Sequence, residues 1–173
     1  MTVLVLGGAA SGKSELAEEI AVKLGGPRVY VATMEPYGDE GVRRVARHRA
    51  LRAAKGFCTV ECYRGLEHAS FPAGGTALLE CVTNLLANEM FSPHGAGSGA
   101  ESAILRGIEG LKERMDNVVV VTGDVFRDGT VYTEGTAAYL LSLAAVNGKI
   151  AASFDVVIEA VCGLPVRLKG ELP

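Results

Sequence analysis

Residues 7–14 read Gly7-Gly8-Ala9-Ala10-Ser11-Gly12-Lys13-Ser14, the spacing G-x-x-x-x-G-K-S of a loop that wraps phosphates. Glycines let the backbone curl until successive N–H groups face one anion. A helix that starts at the end of the loop adds its positive pole. Lys13 then reaches the β- and γ-phosphates, and the Ser14 hydroxyl offers an oxygen to Mg²⁺. The chemistry on offer is the binding of a magnesium nucleoside triphosphate, and the loop alone does not choose the reaction. A second reactive group lies in residues 39–55, where Arg43, Arg44, Arg47, Arg49, Arg52 and Lys55 surround His48. His48 stands four residues from both Arg44 and Arg52, so on a helix the three share a face. That face attracts a triphosphate, and its like charge disfavours the imidazolium. A neutral imidazole can attack the α-phosphorus of a nucleotide; the same residues also read as a solvated charged face. Two carboxylates complete the set. Glu80 ends the run Thr76-Ala77-Leu78-Leu79, where an acid can hold the magnesium shell or take a proton. Asp124 follows the run Val118-Val119-Val120-Val121 and competes for the same role.

The elements that must position these residues follow from periodicity and punctuation. Val3-Leu4-Val5-Leu6 predicts a buried strand feeding the loop, and residues 15–24 a helix. Residues 29–32 form a second strand after the break Gly25-Gly26-Pro27, and 33–38 a loop into the crevice where open α/β sheets bind ligands. Asp39 is placed to cap a helix over 39–55. Residues 59–62 are a short extended segment, 76–80 a strand, 82–91 a helix with Asn84 and Asn88 on one side. Residues 92–99 read as the most flexible loop. Residues 101–115 read as a surface helix weakened by Gly107 and Gly110, each costing about 1 kcal/mol against Ala. The strongest, central strand is 118–121, with a turn at 127–129. A helix follows over 136–150, its apolar face Ala137, Leu140, Leu141, Ala144 and Ala145. Strands at 154–160 and 165–168 close the chain as an antiparallel edge. The pattern predicts an α/β fold, a P-loop NTPase with a mostly parallel sheet flanked by helices, in a single domain over 1–173.

Composition narrows the function. At 173 residues and 49% hydrophobic, the chain can bury one core, and its net charge of −3 gives no global attraction to nucleic acid or membrane. No apolar run approaches the roughly 18 residues of a membrane span, and the N-terminal strand runs straight into the loop. A cytoplasmic protein with reduced cysteines (Cys58, Cys62, Cys81, Cys162) is expected. Cys58 and Cys62 lack a nearby partner pair at zinc spacing. His94 reads as a surface residue, and His68 has no evident partner.

Several of these stretches together resemble one family, the bifunctional adenosylcobinamide kinase / adenosylcobinamide-phosphate guanylyltransferases of cobalamin biosynthesis. The resemblance is carried by Leu6-Gly7-Gly8-Ala9 through Ser14, Tyr30-Val31-Ala32-Thr33, the His48-x-x-x-Arg52 spacing, Val60-Glu61-Cys62, Leu78-Leu79-Glu80-Cys81-Val82-Thr83, Val119-Val120-Val121-Thr122 and the C-terminal strand pair. It implies a RecA-like sheet and two reactions. The first phosphorylates adenosylcobinamide with GTP or ATP. The second transfers GMP from GTP to that phosphate through a GMP-histidine intermediate, the histidine matching His48. It also implies nucleotide contacts from residues 7–14, from Ala32, Thr33 and Met34, from Arg49, Ala50, Leu51 and Arg52, and from Glu61 and Glu80. Magnesium would sit at Ser14, with Glu80 or Asp124. A homotrimer is implied, without nucleic-acid partners. This chain departs from the family where Ala10 replaces a common arginine and where Thr122-Gly123-Asp124-Val125-Phe126 replaces Thr-Asn-Glu-Val-Gly. It departs again over 139–148, where only Asn147 is kept. These changes fall in the half expected to meet the corrinoid or complete the kinase chemistry. A P-loop kinase without a covalent intermediate, or a nucleotide-binding regulatory module, also remains compatible with the residues alone.

Overall fold

The computed structural model describes residues 1–36, 38, 43, 45, 46, 52, 54–125 and 133–172. Among them, seven strands form one sheet: β1 (Thr2–Gly7), β2 (Arg28–Ala32), β3 (Phe57–Glu61), β4 (Thr76–Glu80), β5 (Asn117–Gly123), β6 (Val156–Val161) and β7 (Leu164–Lys169). Their spatial order is β3-β2-β4-β5-β1-β6-β7. All neighbours pair parallel except β6 and β7, as the sequence predicts. Four α-helices have both ends among the described residues, α1 (Lys13–Leu24), α2 (Val82–Phe91), α3 (Ala100–Arg114) and α4 (Glu134–Ser153), and Leu66–His68 and Gly97–Gly99 form short 3₁₀ helices.

The unbroken apolar runs of β1, β4 and β5 arise because both faces of the sheet are covered. Successive side chains alternate between faces. Val3, Val5, Val119 and Val121 pack with Ala17, Ile20 and Ala21 of α1. Leu4, Val118 and Val120 pack on the other face with Leu85 of α2, Ile104 and Ile108 of α3, and Val146 of α4. Register then sets the working edge. Ala32 lies opposite both Glu61 and Glu80, and Gly7 lies opposite Gly123. The two carboxylates, on strands that flank β2, and the start of the phosphate loop, on β1 beyond β5, thus lie at the same C-terminal end of the sheet.

Three expectations need correction. The buried face of α4 is Leu143, Val146 and Ile150, whereas Leu141 is 74% exposed. The helix is apolar nearly all round, so periodicity could not choose a face. Its register is set instead by Asn147, which accepts from Thr122 Oγ1 at 2.7 Å and donates to the Gly123 carbonyl at 3.3 Å. The helix expected at the surface, α3, lies there, with Ser102, Arg106, Glu109 and Glu113 exposed and Ala103, Ile104, Gly107, Ile108 and Leu111 on its buried face. Gly107 is there because a Cβ would lie 2.6 Å from Leu66 Cγ. Residues 92–99 hold a tethered turn: Gly97–Gly99 is a 3₁₀ helix, the Gly95 amide donates to the Ser92 carbonyl, and the Ala96 amide to Glu89. His68 does have a neighbour, Glu67 at 3.6 Å. Between 39 and 55, Arg43, Val45, Ala46, Arg52 and Ala54 are helical. The expected cap Asp39 and the turn 127–129 lie outside the described residues.

Candidate nucleotide site

The phosphate loop occupies the connection from β1 to α1. Gly12 enters the helix with φ +86° and without any side-chain cap, so the first N–H groups of α1 keep no side-chain partner and are available to an anion. A Cβ on Gly12 would meet Gly163 Cα at 2.9 Å, and the Gly163 amide donates to the Ser11 carbonyl at 2.9 Å. The turn between β6 and β7 therefore buttresses the loop from behind, a support that nothing in the loop's own sequence signals. Lys13 Nζ donates to the Gly8 carbonyl at 2.8 Å, folding the ammonium across the loop mouth. Ser11 Oγ is buried with no hydrogen-bond partner among the described residues.

At the end of β4, Glu80 is held from two sides. Ser14 donates to its Oε1 at 2.5 Å, and the Tyr30 hydroxyl donates to its Oε2. Tyr30 is only 6% exposed. Burial, and then the Glu80 charge and hydrogen bond, push its phenol far above the usual value, so it acts as a fixed donor. The Arg52 guanidinium stacks 3.6 Å above the Tyr30 ring centroid, which puts its positive charge against the negative face of the ring. At 5% exposure, Arg52 is a buried cation rather than part of a solvated face. Hard oxygens at Ser14 and Glu80 fit magnesium, which commonly takes one or two protein oxygens and completes its shell from phosphates and water. Of the two acids expected near the metal, Glu80 touches Ser14. Asp124 follows β5, and its amide donates to the Gly7 carbonyl at 3.1 Å.

These groups line a cavity of about 150 Å³, a volume that admits one aromatic ring. Its walls bring together Ser14, Ala32, Met34, Arg52, Glu61 and Glu80, all expected from the sequence, with Tyr30, Val45, Thr59, Tyr63 and Asn84 added. Thr33 is not among the lining residues. It is fully buried, its hydroxyl and amide clamp the backbone of Glu80 and Cys81, and its carbonyl accepts from Asn88, which also donates to the Tyr63 carbonyl. Gly7, Gly8, Ala9, Ala10, Ser11, Gly12 and Lys13 form the adjacent loop. His48, Arg49, Ala50 and Leu51 lie outside the described residues. Tyr30 and Asn88 were missed because each sits in a run that reads as ordinary strand or helix; an OH-bearing ring amid the aliphatics of β2 is the one signal that could have flagged the first.

A glycine-rich loop between an interior strand and a helix, with the helix's Ser14 hydroxyl paired to the carboxylate that ends β4, defines a P-loop nucleotide-binding enzyme. Residues 3–168 match the family described as cobinamide kinase / cobinamide phosphate guanyltransferase, and the chain belongs to that family. It is 32% identical over 174 residues to the bifunctional adenosylcobalamin biosynthesis protein CobP of Pseudomonas aeruginosa, covering 99% of both chains. It is likewise 32% identical over 185 residues to the bifunctional adenosylcobalamin biosynthesis protein CobU of Salmonella typhimurium, covering 98% of this chain and 100% of that one. Among solved structures, an ATPase from the type III secretion system of pathogenic bacteria superposes with a TM-score of 0.50 at 12% identity, over 96% of this chain and 56% of that one. That likeness is one of fold.

Proposed function

We propose that this chain phosphorylates the terminal hydroxyl of adenosylcobinamide with GTP or ATP, and then transfers GMP from GTP to the new phosphate by way of His48. The observation that carries the reading is the cavity where Ser14, Glu80, Glu61 and Arg52 converge beside the phosphate loop, with Arg52 four residues after His48 in the sequence. In the kinase step the substrate hydroxyl oxygen attacks the γ-phosphorus, the bond from that phosphorus to the β-phosphate oxygen breaks, the nucleoside diphosphate leaves, and the hydroxyl proton passes to solvent water. The loop amides and Lys13 hold the triphosphate and offset its charge. Ser14 and Glu80 would hold magnesium, which would supply further neutralisation of the triphosphate charge. In the transfer, the neutral imidazole of His48 attacks the α-phosphorus and pyrophosphate leaves. A phosphate oxygen of the acceptor then attacks the same phosphorus, the P–N bond breaks, and the imidazole is released. Tyr30 keeps Glu80 oriented throughout. The resemblance further supports a cytoplasmic homotrimer; among the described residues no helix is long and apolar enough to cross a membrane.

The test separates the two activities. His48→Ala should keep phosphorylating adenosylcobinamide while losing GMP transfer to its phosphate. Transfer retained in that variant would refute the covalent route and leave the family fold with a direct displacement.

A further inference from the structure

The cavity of about 150 Å³ cannot contain a corrinoid, so most of the acceptor must lie outside it. A second, open groove of about 450 Å³ shares two walls with the cavity, Glu61 and Tyr63, and runs on past Arg64, Gly65 and His68. Two other concavities line α1, around Ile20 and around Val22, and share no wall with the nucleotide cavity.

The floor of the groove is held in place. Glu89, 3% exposed, accepts from the Gly65 amide at 2.6 Å and ties it to the Ala96 amide. Asn88 fixes the Tyr63 carbonyl, and Cys62 Sγ donates to the Arg64 carbonyl at 3.4 Å. Arg64 is aligned by Glu35 at 2.9 Å and Ser92 at 3.2 Å, both through Nη1. Among the described residues, no hydrogen bond engages the rest of its planar fork, which stays available to a ligand. The lining mixes donors with an acceptor: Arg64 and His68 with Glu61, to which the Tyr63 hydroxyl donates at 2.9 Å. An isolated phosphate dianion would face the Glu61 carboxylate. A carboxamide, which donates and accepts at once, matches both.

We propose, resting on the reading above, that this groove takes the carboxamide-bearing body of the corrinoid acceptor, with Arg64 and His68 as its binding residues. The arm that carries the acceptor's reactive end then runs from the groove past Glu61 and Tyr63 toward the phosphate loop.

The experiment measures the KM for adenosylcobinamide phosphate together with loading of the protein by GMP from labelled GTP. Arg64→Ala removes the fork, and His68→Trp obstructs the groove at a side chain that is 82% exposed, where folding is not at stake. Each should raise the acceptor KM about tenfold, the loss expected for one charge-assisted contact, and leave GMP loading unchanged. An unchanged acceptor KM in both variants, with loading intact, overturns the proposal. Inorganic phosphate competing through Arg64 as well as the corrinoid does would make this an anion site and overturn it too. Absence of loading in the wild-type protein would instead strike the enzymatic reading itself.

Discussion

Tyr30 shows how one side chain can serve two charges. Its hydroxyl orients Glu80, and its ring face carries the Arg52 guanidinium. Tyr30→Phe keeps the stack and removes only the donor. One Glu80 oxygen then loses its fixed direction. Hydrogen bonds to charged groups contribute about 1.5–3 kcal/mol, so magnesium-dependent turnover should fall about tenfold or more, with a higher magnesium concentration needed for half-maximal rate. Little change in the thermal midpoint should accompany it, since the ring still fills its place. A magnesium titration of turnover checks this, and an unaltered magnesium requirement would show that Tyr30 does not position Glu80. That Ser14, Glu61, Glu80 and Arg52 would gather around one cavity was legible because the resemblance ties those residue types to the loop, the basic helix and two strand ends. Tyr30 was not, because its use depends on Ala32 pairing with Glu80 across the sheet, and pairing is not visible along the chain.

Among the elements, α3 gives the sharpest contrast. Its two glycines look alike in sequence, yet a Cβ at Gly107 would sit 2.6 Å from Leu66 Cγ, while one at Gly110 meets nothing within 4 Å. Gly107→Ala should destabilise by about 1–3 kcal/mol through overpacking. Gly110→Ala should stabilise by up to about 1 kcal/mol through helix propensity. Urea unfolding of the two variants reads the signs directly, and matching signs would contradict the packing described. Strand positions and the antiparallel C-terminal edge were accessible from the apolar runs, with strand ends shifted by a residue or two, whereas the sheet order was not. The face of α4 was not, because alanines and leucines ring the helix and the deciding contact is a single amide, Asn147, to the end of β5. The support of Ser11 by Gly163 was hidden for the same reason: it joins residues that only the completed fold brings together.

At the scale of the whole molecule, the first strand is pinned to the last third of the chain. The Thr2 amide donates to Asp155 Oδ2 at 2.7 Å and the Thr2 hydroxyl to the same oxygen at 3.0 Å. The Asp155 amide returns a bond to the Thr2 hydroxyl. The backbone bond from Thr2, then its hydroxyl, hold the Asp155 carboxyl below its usual value. A carboxyl depressed in the folded state contributes stability that is complete above its unfolded pKa of about 3.9 and is lost as pH falls through the folded value. The stability gap between wild type and Asp155→Asn should therefore be widest at neutral pH and narrow once pH drops below about 4. A gap independent of pH would mean that the charge has no part in the contact.

Whether GTP held by residues 7–14 hands its nucleotide to one histidine decides the chemistry of the transfer. Intact-mass measurement after exposure to GTP and magnesium, followed by peptide mapping, answers this most directly. The result expected is a gain of one GMP per chain, located on His48 and lost on adding adenosylcobinamide phosphate. An unmodified chain under conditions where adenosylcobinamide-GDP still forms, or GMP found on another residue, would contradict it.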